Sequence, residues 1–217
     1  MLPPAWPRLS VAALLGASLL GACSNPEKTG RYPIDPPTAG VQVANRLGTA
    51  ELREVSLPEY ASDQEVAFQT EDGAIRSNPD NLWADNPARA FTTTLARAIG
   101  EVSGATVIGE PWPLAEPPAR VLEVRVERAL AQANNTYRLS GRYFVSDDGL
   151  AGSGTNHARS FDISVPMAGQ TPAATAAAAG QAISLLAQQI ATLSGPGATI
   201  ATRRPAASDP FDLPPLF

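Results

Sequence analysis

One cysteine and one histidine occur in the 217 residues, and each scarcity closes off a branch of chemistry. A lone Cys23 forms no intrachain disulfide and builds no thiolate cluster, and a lone His157 rules out any site needing two histidine ligands. A carboxylate-only metal site is the one metal chemistry left open, and no cofactor is expected. No glycine-rich loop opens a helix: Gly152-Ser153-Gly154 lies between two strand patterns, without the helix N-terminus that would hold a phosphate, and reads as a turn. No nucleophile elbow precedes His157, so a Ser153–His157 pair lacks its usual setting and His157 reads as a solvent-facing loop residue. The acid pairs Glu71-Asp72 and Asp147-Asp148 fall at turns. Basic residues number 16 against 21 acidic ones, which excludes a nucleic-acid binder and electrostatic adhesion to anionic headgroups. No apolar run reaches the about 20 residues that a membrane-spanning helix needs.

What is present begins at the N-terminus. Arg8 is the only charged residue in the first 22, and an apolar run from Leu9 to Ala22 follows it. That order is a secretory signal. The run ends in Leu20-Gly21-Ala22-Cys23, a lipobox, so cleavage is expected between Ala22 and Cys23, with Cys23 acylated as the first mature residue. Acylation also accounts for an unpaired thiol in an exported chain. Each buried methylene contributes about 0.8 kcal/mol, so two or more acyl chains anchor stably. Ser24, where Asp would signal inner-membrane retention, directs the expectation to the periplasmic face of the outer membrane.

Residues 23–40 hold Pro26, Gly30, Pro33, Pro36, Pro37 and Gly40, the composition of a tether. Residues 196–217 are proline-rich and aperiodic and read as a disordered tail. Its end, Asp209-Pro210-Phe211-Asp212-Leu213-Pro214-Pro215-Leu216-Phe217, reads either as a frayed terminus or as a linear docking motif. Residues 41–195 between them are enough for one domain.

Within that domain three segments alternate at period two: Leu122, Val124, Val126; then Tyr137, Leu139, Tyr143, Val145; then Phe161, Ile163, Val165, Met167. Each therefore has one buried face, and short connections predict consecutive antiparallel pairs. Two helices are punctuated alike, one from Asn86-Pro87 to Ser103-Gly104 and one from Thr171-Pro172 to Ser194-Gly195. Further strands are expected at Val41 to Leu47, Leu52 to Leu57 and Glu65 to Thr70, the last turning at Glu71-Asp72-Gly73. The expected fold is α+β, an antiparallel sheet with two amphipathic helices packed on one face.

The order of short motifs carries a resemblance. Behind the lipobox come Tyr32-Pro33-Ile34-Asp35-Pro36-Pro37, then Leu57-Pro58-Glu59-Tyr60, then Trp83-Ala84 leading into the first helix, three strands and a last helix. In this the chain resembles the ABC-type transport auxiliary lipoproteins, the PqiC-like family. The resemblance implies a non-enzymatic component of an intermembrane transport system, working with an MCE-domain protein, a permease and an ATPase that move phospholipid or another hydrophobic cargo. Leu57, Pro58, Glu59, Tyr60 and Trp83 are candidates for partner docking or simply a family motif, and Trp83 taken alone reads first as a cap on the core beside the helix start; phospholipid and a second copy of the chain are further candidate partners. An outer-membrane assembly lipoprotein docking a different machine is the alternative, and a small esterase the third reading.

Overall fold

The computed structural model describes residues 28–37, 42–147 and 154–201. The leader, Cys23, both ends of the tether and the distal tail lie outside these residues. In chain order the elements are β1 (Gly30–Tyr32), β2 (Thr49–Leu52), α1 (Glu59–Ser62), β3 (Phe68–Gln69), β4 (Ile75–Arg76) and β5 (Asn81–Trp83). There follow α2 (Pro87–Ser103), β6 (Thr106–Gly109), β7 (Arg120–Gln132), β8 (Thr136–Asp147), β9 (Thr155–Pro166), α3 (Pro172–Ala191) and β10 (Gly197–Ala201).

The three alternating segments become β7, β8 and β9, paired antiparallel in sequence order. Their apolar positions are all buried, Leu122, Val124, Leu139, Tyr143 and Val145 completely. Asn135 makes the β7–β8 turn with φ of 58°, a left-handed conformation that Asn tolerates better than most residues. One irregularity interrupts the ladder: Val126 faces Gly141 and Arg128 faces Ser140, so Glu127 is a bulge residue. The bulge resets the alternation, returning Ala129 and Ala131 to the buried side.

Both helices start where their caps place them. The Asn86 side chain accepts from the Arg89 N–H and that of Thr171 from the Ala174 N–H, and Pro follows each. Gly104 closes α2 with φ of 69°. Helix α3 stops earlier than Ser194-Gly195: Leu193 takes the left-handed position, φ 55°, and the Ser194 N–H reaches back to the Gln189 carbonyl. That is a Schellman closure, made here by a residue other than glycine. Phe91, Leu95, Ile99 and Val102 of α2 and Ile183, Leu186 and Ile190 of α3 are buried, and together they form the layer that covers the sheet.

The fold is α+β, and its sheet is larger than the meander. It has eight strands, in the order β10-β9-β8-β7-β2-β6, with β3 and β4 off this path. Strand β2 pairs parallel with both β6 and β7, because α2 carries the chain across to β6 as a crossover. Four expectations are corrected here. Residues 42–46 form no strand: Val43 and Gln42 donate to the Val102 and Glu101 carbonyls, and Asn45 to that of Gly104, satisfying the open end of α2. The segment Leu52 to Leu57 ends as strand at Leu52, keeps one bond to β7 from the Arg53 N–H to the Leu122 carbonyl, and bridges β7 again at Ser56, opposite Arg125. Of Glu65 to Thr70, only Phe68–Gln69 is strand, although the turn after it forms as expected. Gly197–Ala201, assigned to the tail, pairs with Thr155 to Arg159 as β10. It docks because Gly195 and Gly197 adopt φ of 114° and 149°, a backbone that lets the chain turn in against β9.

Candidate docking surface

The short motifs converge on one end of the core. Tyr32 pairs with Trp83 in a two-stranded parallel ribbon, β1 with β5, and the Ala84 N–H donates to the Tyr32 carbonyl at 3.0 Å. From there Pro33 to Pro37 runs as an extended strap over the helix layer, with Ile34 and Pro36 buried. Its prolines hold the extended backbone in place. The strap crosses α3 at Gly180, where a β-carbon would lie 2.5 Å from the Asp35 carbonyl oxygen, and meets α2 through the Asp35–Arg97 ion pair at 3.1 Å. That pair is exposed and adds little. Gly180→Val is expected to lift the strap at a cost of about 1–3 kcal/mol, read by limited proteolysis as new cleavage between residues 32 and 42.

Trp83 is 6% exposed and lines a void of about 10 Å³ with Ile34, Ala61, Phe91 and Tyr137, so it is a core residue with almost no surface to offer a partner. Leu57 and Tyr60 pack against the same core. Tyr60 Oη accepts from the Ala129 N–H at 3.3 Å, while the Ser56 N–H donates to Val124 and the Ser56 carbonyl accepts from Val126. The Leu57-Pro58-Glu59-Tyr60 segment thus braces the bulged part of β7, and of its four residues Glu59 alone is fully exposed.

Titratable groups are placed for structure. Tyr137 is fully buried, which pushes its phenol far above the ordinary value. Burial also pushes Tyr143 up to about 12; its hydroxyl donates to the Ser194 and Gln189 carbonyls at the end of α3. His157 is in strand β9 and not in a loop, which corrects the sequence reading. Its Nδ1 lies 3.2 Å from Thr199 Oγ1 and its Nε2 3.4 Å from Thr155 Oγ1. Burial first, then Arg159 and Arg120, hold its pKa below the ordinary value, and its ring touches two hydroxyls. Among the described residues no three His, Cys, Asp or Glu side chains gather as a metal site, and Ser153 lies outside them.

Besides a groove of about 200 Å³ beside the strap, lined by Tyr32, Pro33, Trp83, Ala90 and Thr94, two further concave surfaces stand out among the described residues. One, of about 190 Å³, lies between β3, the end of β7 and the start of α3, lined by Val66, Phe68, Ala131, Gln132 and Pro172. The other was not legible in the sequence: a shallow groove of about 460 Å³ along the outer edge of β9, lined by Ile163, Leu185, Gln188 and Gln189. Strand β10 covers β9 only up to Arg159. The Ser160 N–H points outward to the Pro196 carbonyl, so by period two the main-chain groups of Asp162 and Ser164 point outward beyond the end of β10. An uncovered edge beside a helix groove is a surface for extended polypeptide. Leu185, 36% exposed, forms the groove's apolar wall. Asp162 is fixed by Arg138 through two bonds of 2.8 and 2.6 Å, and that hydrogen bonding lowers its pKa. A depressed carboxylate stabilises above its unfolded pKa of about 3.9 and stops doing so as pH falls through the lower folded value. The stability gap between wild type and Asp162→Asn is therefore expected to be present at neutral pH and to close as pH falls through the lowered folded value, in acid titrations followed by circular dichroism.

A braced core, an extended strap across both helices and an open strand edge define an α+β domain with a candidate docking surface. The chain belongs to the family of ABC-type transport auxiliary lipoprotein components, which it matches over residues 32–191. The match runs from the first residue of the Tyr32 motif to the last residue of α3. Two solved structures share the fold. One, a crystal structure of an uncharacterized protein, has a TM-score of 0.58 and 17% identity, covering 70% of this chain and 97% of its own. The other is protein XCC0632 from Xanthomonas campestris, described as DUF330, with a TM-score of 0.54, 14% identity, and 75% and 90% coverage. At these identities the likeness shows the fold alone. No curated protein matches the chain.

Proposed function

We propose that the protein is a non-enzymatic auxiliary of an ABC-driven, MCE-type system that moves phospholipid or another hydrophobic molecule between the two membranes. It is held by acylated Cys23 at the periplasmic face of the outer membrane, and its domain docks the MCE-domain protein. The observation that carries this reading is the family match spanning strap, braced core and both helices. Two features agree with it. No helix among the described residues is long and apolar enough to cross a membrane, so attachment falls to the lipidated terminus. The sequence has no nucleotide-binding loop, so the energy for transport comes from a separate ATPase. The strap links the two halves of the assignment, since it ties the tether to α2 and α3 directly.

In-cell photocrosslinking from a probe residue at Leu185, followed by mass spectrometry, tests the reading. Capture of an MCE-domain protein from cells carrying the lipidated chain, lost with Cys23→Ala, is the expected result. Capture of a β-barrel assembly factor in its place would assign the same docking domain to a different machine.

A further inference from the structure

The sheet face turned away from the helices carries an arrangement that packing does not explain. Arg125 and Arg142 stand directly opposite one another on β7 and β8, a like-charge juxtaposition that costs stability. Their guanidinium carbons lie 5.2 and 5.5 Å from the centroid of the Phe144 ring, whose electrons offset part of that cost. Glu123 holds Arg125 at 2.6 Å. Arg142 has no ion pair among the described residues. In a chain of formal charge −5, this is a cationic and aromatic spot on an uncovered face.

We propose that the acidic C-terminal segment of the same chain, Asp209-Pro210-Phe211-Asp212-Leu213, lies across this face, with its carboxylates on Arg142 and Arg125 and Phe211 beside Phe144. Charge is the first argument: Asp209 and Asp212 complement the two arginines, and the basic pair Arg203-Arg204 stays near the point where the chain leaves β10. Reach is the second. Ala201 ends β10 opposite Thr155, and Phe144 pairs with Ala158. Ala201 is thus three residues along and two strands across from Phe144, about 14 Å. Asp209 is eight residues beyond Ala201, and a flexible chain of that length has a root-mean-square span of about 16 Å. Arg142 lies about 20 Å from Ala201 on the same lattice, against about 18 Å for the eleven residues to Asp212. Exposed Ile200 of β10, 57% accessible, lies on this face next to Asn156 of β9 and offers an apolar step for the tail's Phe and Leu. The tail's prolines keep it extended without a strand ladder, so it binds by side chains. Tethering raises its local concentration to the millimolar range, so weak contacts suffice.

The test uses the mature chain with Cys23→Ser and a nitroxide on Leu213→Cys, observed by paramagnetic broadening of backbone amides. The expected result is strong broadening at Arg125, Arg142 and Phe144, independent of protein concentration and reduced at least fivefold by Asp209→Asn with Asp212→Asn, which leaves the folded domain untouched. Arg142→Gln should reduce it likewise and raise Tm. Broadening that appears only between labelled and unlabelled molecules would place a second copy on the patch and overturn the proposal. Broadening that is absent, falls on the helix face or survives the double Asn change would also overturn it.

Discussion

Gly141→Ala is expected to destabilise the domain by about 3 kcal/mol or more, a large share of the roughly 5–15 kcal/mol that holds a domain together. Gly141 lies on the buried face of β8 between Leu139 and Tyr143, opposite Val126 at the start of the bulge. A β-carbon there would sit 2.2 Å from the Arg125 carbonyl oxygen, 2.9 Å from Val126 Cα and 3.0 Å from the Phe161 ring. The first two neighbours are backbone, so no rotamer change relieves the overlap and the two central strands must part. Its φ is not left-handed. The requirement is for space, and alanine fails it as fully as valine. Chemical denaturation should give a midpoint shift without a change in slope, and Tm should fall by about 6–12 °C. Ser140→Ala, one residue away on the open face, should change stability by less than about 0.5 kcal/mol. Equal stability of Gly141→Ala and wild type would mean that the β7–β8 register is wrong.

The parts of this fold legible in the sequence are those whose signal is local. Asn86-Pro87 and Thr171-Pro172 mark the helix starts because capping acts within one turn, and the alternation of β7 to β9 is visible because an open sheet face forces period two. Strand β6 and the parallel pairing of β2 were not legible: segments of four residues carry no period, and tertiary pairing selects them. The Glu127 bulge leaves no mark except a break in alternation that also resembles the end of a strand. Gly197–Ala201 was read as tail because prolines surround it, while its pairing is decided by β9. At the candidate site, the sequence shows the motifs around Tyr60 and Trp83, and a tryptophan beside a helix start reads first as a cap on the core, as Trp83 is. The way Leu57 and Tyr60 brace β7 depends on the bulge and has no local signal. The free edge at Asp162 and Ser164 is a property of strand order, which no local pattern reports.

Cys23→Ala is expected to convert the protein from wholly membrane-associated to wholly soluble in fractionated envelopes. No helix among the described residues is long and apolar enough to cross a membrane, and the chain's net charge of −5 opposes anionic headgroups. In the proposed arrangement attachment rests on acyl chains at Cys23, each methylene worth about 0.8 kcal/mol, and removing their attachment point removes that term. Stability of the domain should not change, because the strap that begins at Tyr32 is held by Trp83, Gly180 and Arg97 and not by the lipid. Thermal unfolding of the soluble variant checks this second half. Retention in the membrane fraction after Cys23→Ala, with salt washes leaving it there, would show that a bound partner or another segment anchors the chain.

The proposed role is docking that serves ATP-driven movement of lipid between membranes, without chemistry of the protein's own. The most direct measurement follows labelled phospholipid between inner and outer membranes in cells that lack the chain, then in cells given back wild type, His157→Ala or Cys23→Ala. Transport should fall without the chain, return with wild type and with His157→Ala, and stay low with Cys23→Ala. Unchanged lipid movement in its absence would contradict the account, as would rescue that depends on His157.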